Sequence, residues 1–143
     1  MGISAGEIAT ASDVLEKVPF YPTTASTVLL ISSLNSENTT SATTYTKRED
    51  IAMAGSGTFR IQFAIRTSAS TATAYGRVYQ NGVAVGTEQS ETASTQVIKS
   101  EDISGWELGD LCQLYTKIAS GNFVFVQNFN IYASTNKSEF QVL

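Results

Sequence analysis

Residues 76–89 read GRVYQNGVAVGTEQ. Asn81-Gly82 is the strongest short-range hairpin signal in the chain, because a type I′ turn needs positive φ at both central positions and these two residues tolerate it best. A two-residue loop sets Gln80 opposite Val83, Tyr79 opposite Ala84, Val78 opposite Val85 and Arg77 opposite Gly86. Paired residues share a face, so Val78 and Val85 are expected in the core, with Tyr75, Arg77 and Tyr79 on the opposite side.

The clearest strand precedes this hairpin. In TFRIQFAIRT at 58–67, Phe59, Ile61, Phe63 and Ile65 alternate with Arg60, Gln62, Ala64 and Arg66, the period of two that makes one face greasy and leaves the other for water or another chain. After the hairpin, ASTQVIKSEDISGWELGD at 93–110 reads as a strand around 95–100 followed by a long loop. Ile103, Trp106 and Leu108 in that loop are expected to plug one end of the core. LCQLYTKI at 111–118 and NFVFVQNFNIYAS at 122–134 are two further strands. In the second, Phe123, Phe125, Phe129 and Ile131 fall on one face and Val124, Val126 and Tyr132 on the other, an apolarity on both sides that implies cover on both.

Toward the N-terminus, STVLLISSLNS at 26–36 reads as a strand and NSENTTSATT at 35–44 as a polar loop; TTYTKRED at 43–50 reads as a short strand running into a turn at IAMAGSG, 51–57. Residues 1–22 differ. SAGE at 4–7 has the form of a capping box, with Ile8, Ala11, Leu15 and Val18 at helical spacing before Pro19 and Pro22. The segment is either a short helix over about residues 5–18 or an extended arm that anchors to a shell or swaps between subunits. Residues 23–143 then form the β-domain: several short strands with turn signals between them describe an all-β, antiparallel sandwich or jelly roll of about eight strands.

Composition narrows the function. The 143 residues suit one domain. Only 15% are charged, against 35 Ser and Thr, so hydroxyls supply much of the polarity. The net charge of −4 and the lack of a basic cluster speak against nucleic acid. No apolar run approaches the roughly 20 residues of a membrane helix, and no secretory signal is visible, so membrane insertion is not expected. Histidine is absent and Cys112 is alone, which removes the usual imidazole base, the usual zinc ligand and any internal disulfide. Cys112 reads as a small buried residue.

The succession GTFRIQFAIRTS, AYGRVYQNGVAVGTEQS, SEDISGWELGDLCQLYTK and VQNFNIYAS resembles a jelly-roll module of structural proteins in tailed phages and related viruses, from tail, baseplate and head decoration. Its general shape is similar to the TNF-like and C1q-like folds. The resemblance covers roughly residues 24–134. It implies a virion component that forms a homotrimer, contacts other virion proteins and either decorates the particle or meets a host surface, with no catalytic residues and no cofactor.

Other chemistry is weakly signalled. Glu101, Asp102 and Asp110 lie close enough in sequence to raise calcium, though without EF-hand spacing. Glu88, Glu91, Glu101 and Asp102 could supply a glycosidase pair, but carboxylates scattered over a small β-domain would do so by chance, and Lys99 and Lys117 sit in no motif that would make them bases for Cys112 or a serine. No enzyme activity is expected. Tyr75, Tyr79, Tyr115, Tyr132 and Trp106 have the chemistry to stack a sugar or to form a subunit interface. Tyr75, Arg77, Tyr79, Arg60, Arg66 and Tyr132 are the expected contact residues, toward sister subunits first and toward a host-surface glycan or receptor as the alternative.

Overall fold

The computed structural model describes residues 28–119 and 121–133; the expected helix or arm of residues 1–22 lies outside them. The described residues contain no helix. They form β1 (Val28–Ser33), β2 (Asn38–Thr40), β3 (Thr46–Ala52), β4 (Gly57–Thr67), β5 (Ala74–Gln80), β6 (Val83–Ala84), β7 (Gln89–Glu91), β8 (Val97–Trp106), β9 (Leu111–Ile118) and β10 (Val124–Ala133). One antiparallel sheet, here the ionic sheet, runs β1-β10-β4-β8 with β2 also on β10; the other, the tyrosine sheet, runs β3-β9-β5-β6 with β7 also on β5. The two sheets make an all-β sandwich.

The alternation in β4 does what its pattern dictates. Phe59, Ile61, Phe63 and Ile65 are all buried in the core, where they pack with Val78, Cys112, Leu114 and Ile118 of the facing sheet. Burying each large side chain is worth about 1.5–3 kcal/mol. The sheets approach closely at Gly76, where an added Cβ would lie 2.7 Å from the Phe63 ring. Burial lifts the Cys112 thiol well above its ordinary range, which makes it a small core hydrophobe rather than a nucleophile.

Bulges overturn several expectations. In β10 the core residues are Val124 and Val126 and then Phe129, Ile131 and Ala133. The face changes at Asn128, whose φ is +54° and where the register against β4 shifts. One extra residue inverts the parity of everything after it. The apolarity of both faces is therefore one core stripe drawn in two phases, and it requires no second cover. Phe123 is 48% exposed. Likewise β8 continues through Trp106 where a loop was expected, irregular against β4 between Gly57 and Phe59, with φ of +86° at Gly105. Ile103 and Trp106 are buried plugs, but Leu108 is 73% exposed. The polar loop at 35–44 contains β2, which adds to β10.

The hairpin has the expected turn, with φ of +50° at Asn81 and +86° at Gly82, and the expected pairs Gln80–Val83 and Tyr79–Ala84. Beyond them the ladder breaks. Val85 and Gly86 both donate their N–H groups to the Val78 carbonyl, at 3.1 and 3.0 Å. This bulge turns Val85 out to 37% exposure while Val78 stays buried, and Arg77 meets Gly86 through its guanidinium, donating to the Gly86 carbonyl at 2.7 Å. The hairpin tip is also held from below. Asp110 accepts from Gln80 Nε2 at 2.7 Å and Asn81 Nδ2 at 3.1 Å, and Asn81 Oδ1 accepts from the Leu111 N–H at 2.8 Å.

Polar contacts close the two open sides of the sandwich. Ser33 on β1 donates to Glu49 on β3. Across the other side, Lys99 on β8 pairs with Glu91 on β7 at 2.9 Å, and Glu101 accepts from the Thr87 N–H at 3.0 Å and its hydroxyl at 2.8 Å. Inward-pointing charges on an edge strand also discourage edge-to-edge pairing.

Candidate functional site

The six expected contact residues do not form one patch. Tyr75, Arg77 and Tyr79 lie on the outside of the tyrosine sheet, because they alternate along β5 with buried Ala74, Gly76 and Val78. Arg60, Arg66 and Tyr132 lie on the outside of the ionic sheet, on β4 and β10. Each outer face is its own candidate.

On the tyrosine sheet, register brings further groups to β5. Arg77 pairs with Tyr115 and Tyr75 with Lys117. Tyr79 and Tyr115 stack with ring centroids 3.8 Å apart and planes inclined by 16°. Tyr45, just before β3, adds a tilted ring 6.1 Å from Tyr79. Lys117 Nζ lies 4.7 Å from the Tyr45 ring centroid and 5.0 Å from that of Tyr75, a cation–π arrangement that holds the ammonium over the aromatic surface. Tyr45 Oη donates to Glu88 at 2.6 Å, and Lys117 approaches the same carboxylate at 3.6 Å. Burial first, and then the Glu88 carboxylate, push the Tyr45 hydroxyl well above its ordinary pKa. Four of the six tyrosines of the chain thus stand on one face. All four are half-buried.

The outside of the ionic sheet is built from paired charge. Arg60 Nε and Nη2 donate to the two oxygens of Asp102 at 2.7 and 3.1 Å. Arg66 grips Glu37 in the same way at 2.6 and 2.9 Å, and its guanidinium sits 3.8 Å above the Phe125 ring. Glu37 also accepts from Gln96 Nε2 at 2.6 Å. These donors hold the Glu37 and Asp102 carboxyls below the usual range. Between the charges lies a shallow depression of about 240 Å³, lined by Arg60, Gln62, Ser100 and Tyr132.

Several of the candidate roles weighed from the sequence find no support in the geometry. Trp106 is 1% exposed and offers no platform to a ligand. Glu101, Asp102 and Asp110 do not converge on a cation: they face Thr87, Arg60 and the Asn81 turn respectively. Among the described residues no group of three or more carboxylate or thiol side chains is placed to hold a metal ion. Sequence reasoning did not single out Tyr45, which stands at the end of a hydroxyl-rich loop and joins the other rings only through the pairing of β3 with β9. Glu37 was missed for the same reason, and Glu88 was weighed only as a glycosidase carboxylate, since each meets its partner from a distant segment.

No protein-family model matches the chain, and no curated protein matches it.

Proposed function

We propose that the chain is a structural subunit of a virus particle, a jelly roll that assembles as a homotrimer and decorates or stabilises the head, or serves as a tail or baseplate component. Strand order supports the jelly-roll reading. With β6 and β7 taken as one interrupted strand and the short β2 set aside, one sheet reads first, eighth, third, sixth, and the other second, seventh, fourth, fifth. Two interlocked Greek keys give this arrangement.

The observation that carries the assembly role is the array of Tyr45, Tyr75, Tyr79 and Tyr115 beside Arg77 and Lys117. Tyrosine and arginine are enriched where subunits meet, because a rigid amphipathic ring gives contact area at low cost in side-chain entropy. In a closed three-fold ring each copy offers one patch to each neighbour, and the two patches differ. The tyrosine face is one of them; its rings are already ordered by mutual stacking, so little freedom remains to be lost on association.

Light scattering on the full chain tests this. The expected mass is three times the 15.3 kDa of one copy. A Tyr79→Ala/Tyr115→Ala double variant should shift the species to 15.3 kDa while keeping its strand-type far-ultraviolet spectrum. A wild-type monomer at tens of micromolar overturns the proposal.

A further inference from the structure

The assembly role leaves the depression on the ionic sheet without a use. We infer that it is a binding site for a single neutral sugar ring, held by Arg60, Gln62, Ser100 and Tyr132. Register lays out its floor. Arg60 on β4 is flanked by Tyr132 on β10 and Asp102 on β8, and Gln62 by Asn130 and Ser100. Three strands therefore present two adjacent rows, Tyr132-Arg60-Asp102 and Asn130-Gln62-Ser100, on one outer surface.

The hydrogen bonding of these rows is only partly used. Tyr132 Oη accepts from Gln62 Nε2 at 3.4 Å and from Asn130 Nδ2 at 3.3 Å, which leaves its own proton to donate outward. Ser32 Oγ donates to Asn130 Oδ1 at 2.8 Å and steadies that amide. Among the described residues, Gln62 Oε1 and the Ser100 hydroxyl have no protein partner. The depression thus offers a phenol donor, an amide acceptor and a hydroxyl able to do both, spread over three adjacent strands with the Tyr132 ring at one side. Vicinal hydroxyls on a ring with an apolar C–H face complement that set.

Charge and size choose among ligands. Asp102 neutralises Arg60 through both of its oxygens, so the depression has no free positive charge with which to select a phosphate or sulfate. At about 240 Å³ it is smaller than the roughly 300–1,000 Å³ of sites for drug-sized molecules, which suits one ring rather than an extended oligosaccharide. The tyrosine sheet makes the poorer sugar platform, because Tyr79 and Tyr115 cover each other at 3.8 Å.

The test is a titration of the full isotope-labelled chain with the methyl glycosides of glucose, galactose, mannose and N-acetylglucosamine, followed by amide NMR. At least one should perturb residues 60, 62, 100 and 132 with a millimolar Kd, the affinity expected for one ring on an open surface. Gln62→Ala/Ser100→Ala should weaken that binding by about tenfold or more, the loss of two polar contacts. Tyr132→Phe should weaken it about threefold or more, since the ring stays and the donor goes. Tyr79→Ala, on the other sheet, should leave the Kd of the folded protein unchanged. The inference fails if none of the four glycosides perturbs these amides, if the Gln62/Ser100 double variant binds as the wild type does, or if sodium sulfate alone reproduces the perturbations.

Discussion

The two outer faces of the sandwich are made from the same alternating strands yet are held by different physics. On the tyrosine sheet, rings contact rings, and the charged groups Lys117 and Glu88 lean on them. On the ionic sheet, two arginines are each clamped by a carboxylate, and among the described residues the ring under a cation is Phe125. Ring contact depends on excluded area and is not weakened by salt screening; ion pairing at a partly exposed surface is weakened by salt and acid. In the proposed roles, the first face makes permanent contact with protein and the second a weak and reversible contact with a single sugar ring.

Four measurements break or sharpen this contrast. The largest effect is expected at Gly76, where both sheets meet: Gly76→Ala pushes a methyl into the Phe63 ring and should cost about 1–3 kcal/mol in urea unfolding, an overpacking penalty. Next comes Tyr79→Ala, which removes the ring stacked on Tyr115 and should cost about 2 kcal/mol, a cost that high salt does not reduce. Glu37→Gln removes the carboxylate shared by Arg66 and Gln96. Its cost should be no more than about 1 kcal/mol, and most of it should vanish in about 1 M salt. Equal salt dependence in these two variants would erase the distinction between the faces.

The smallest effect is expected from mild acid. The Glu37, Asp102 and Glu91 carboxyls are held below their ordinary range first by Arg66, Arg60 and Lys99, while Glu88 is held first by the neutral Tyr45 hydroxyl and Asp110 by the Asn81 amide. A carboxyl depressed in the folded state contributes stability above its unfolded pKa of about 4, and that contribution is lost as pH falls through the folded value. Thermal melts should therefore be level from about pH 8 to 5, with no histidine to titrate in between, and should fall below about pH 4. A midpoint change centred near about pH 6.5, the histidine range, would contradict this assignment.

What was legible in the sequence was whatever kept strict parity. β4 alternates without interruption, and the Asn81-Gly82 turn requires a backbone that few residue pairs tolerate, so both could be placed from residues alone. Tyr75 and Tyr79 followed from their positions along β5. What stayed hidden was set by bulges and by contacts between distant strands. The first part of β8, around residues 97–100, was legible as a strand; its continuation to Trp106 looked like a loop because Glu101 points inward at an edge, toward Thr87, and the strand is irregular before Trp106 with a positive φ at Gly105. Of the expected contact residues, Arg60 and Arg66 were found on the correct outer face, but their partners Asp102 and Glu37 could be assigned only from the folded chain.

Asn128 gives this architecture one place where its length can change. That residue is the extra one of the bulge: Gln127 faces Ala64 and Asn130 faces Gln62, so its loss would leave β10 in unbroken alternation, with Phe129, Ile131 and Ala133 still directed inward and Asn130 and Tyr132 outward. Such a deletion would forfeit the Asn128 N–H bond to the Leu34 carbonyl, yet the core and the sugar-sized hollow outside it would both keep their residues.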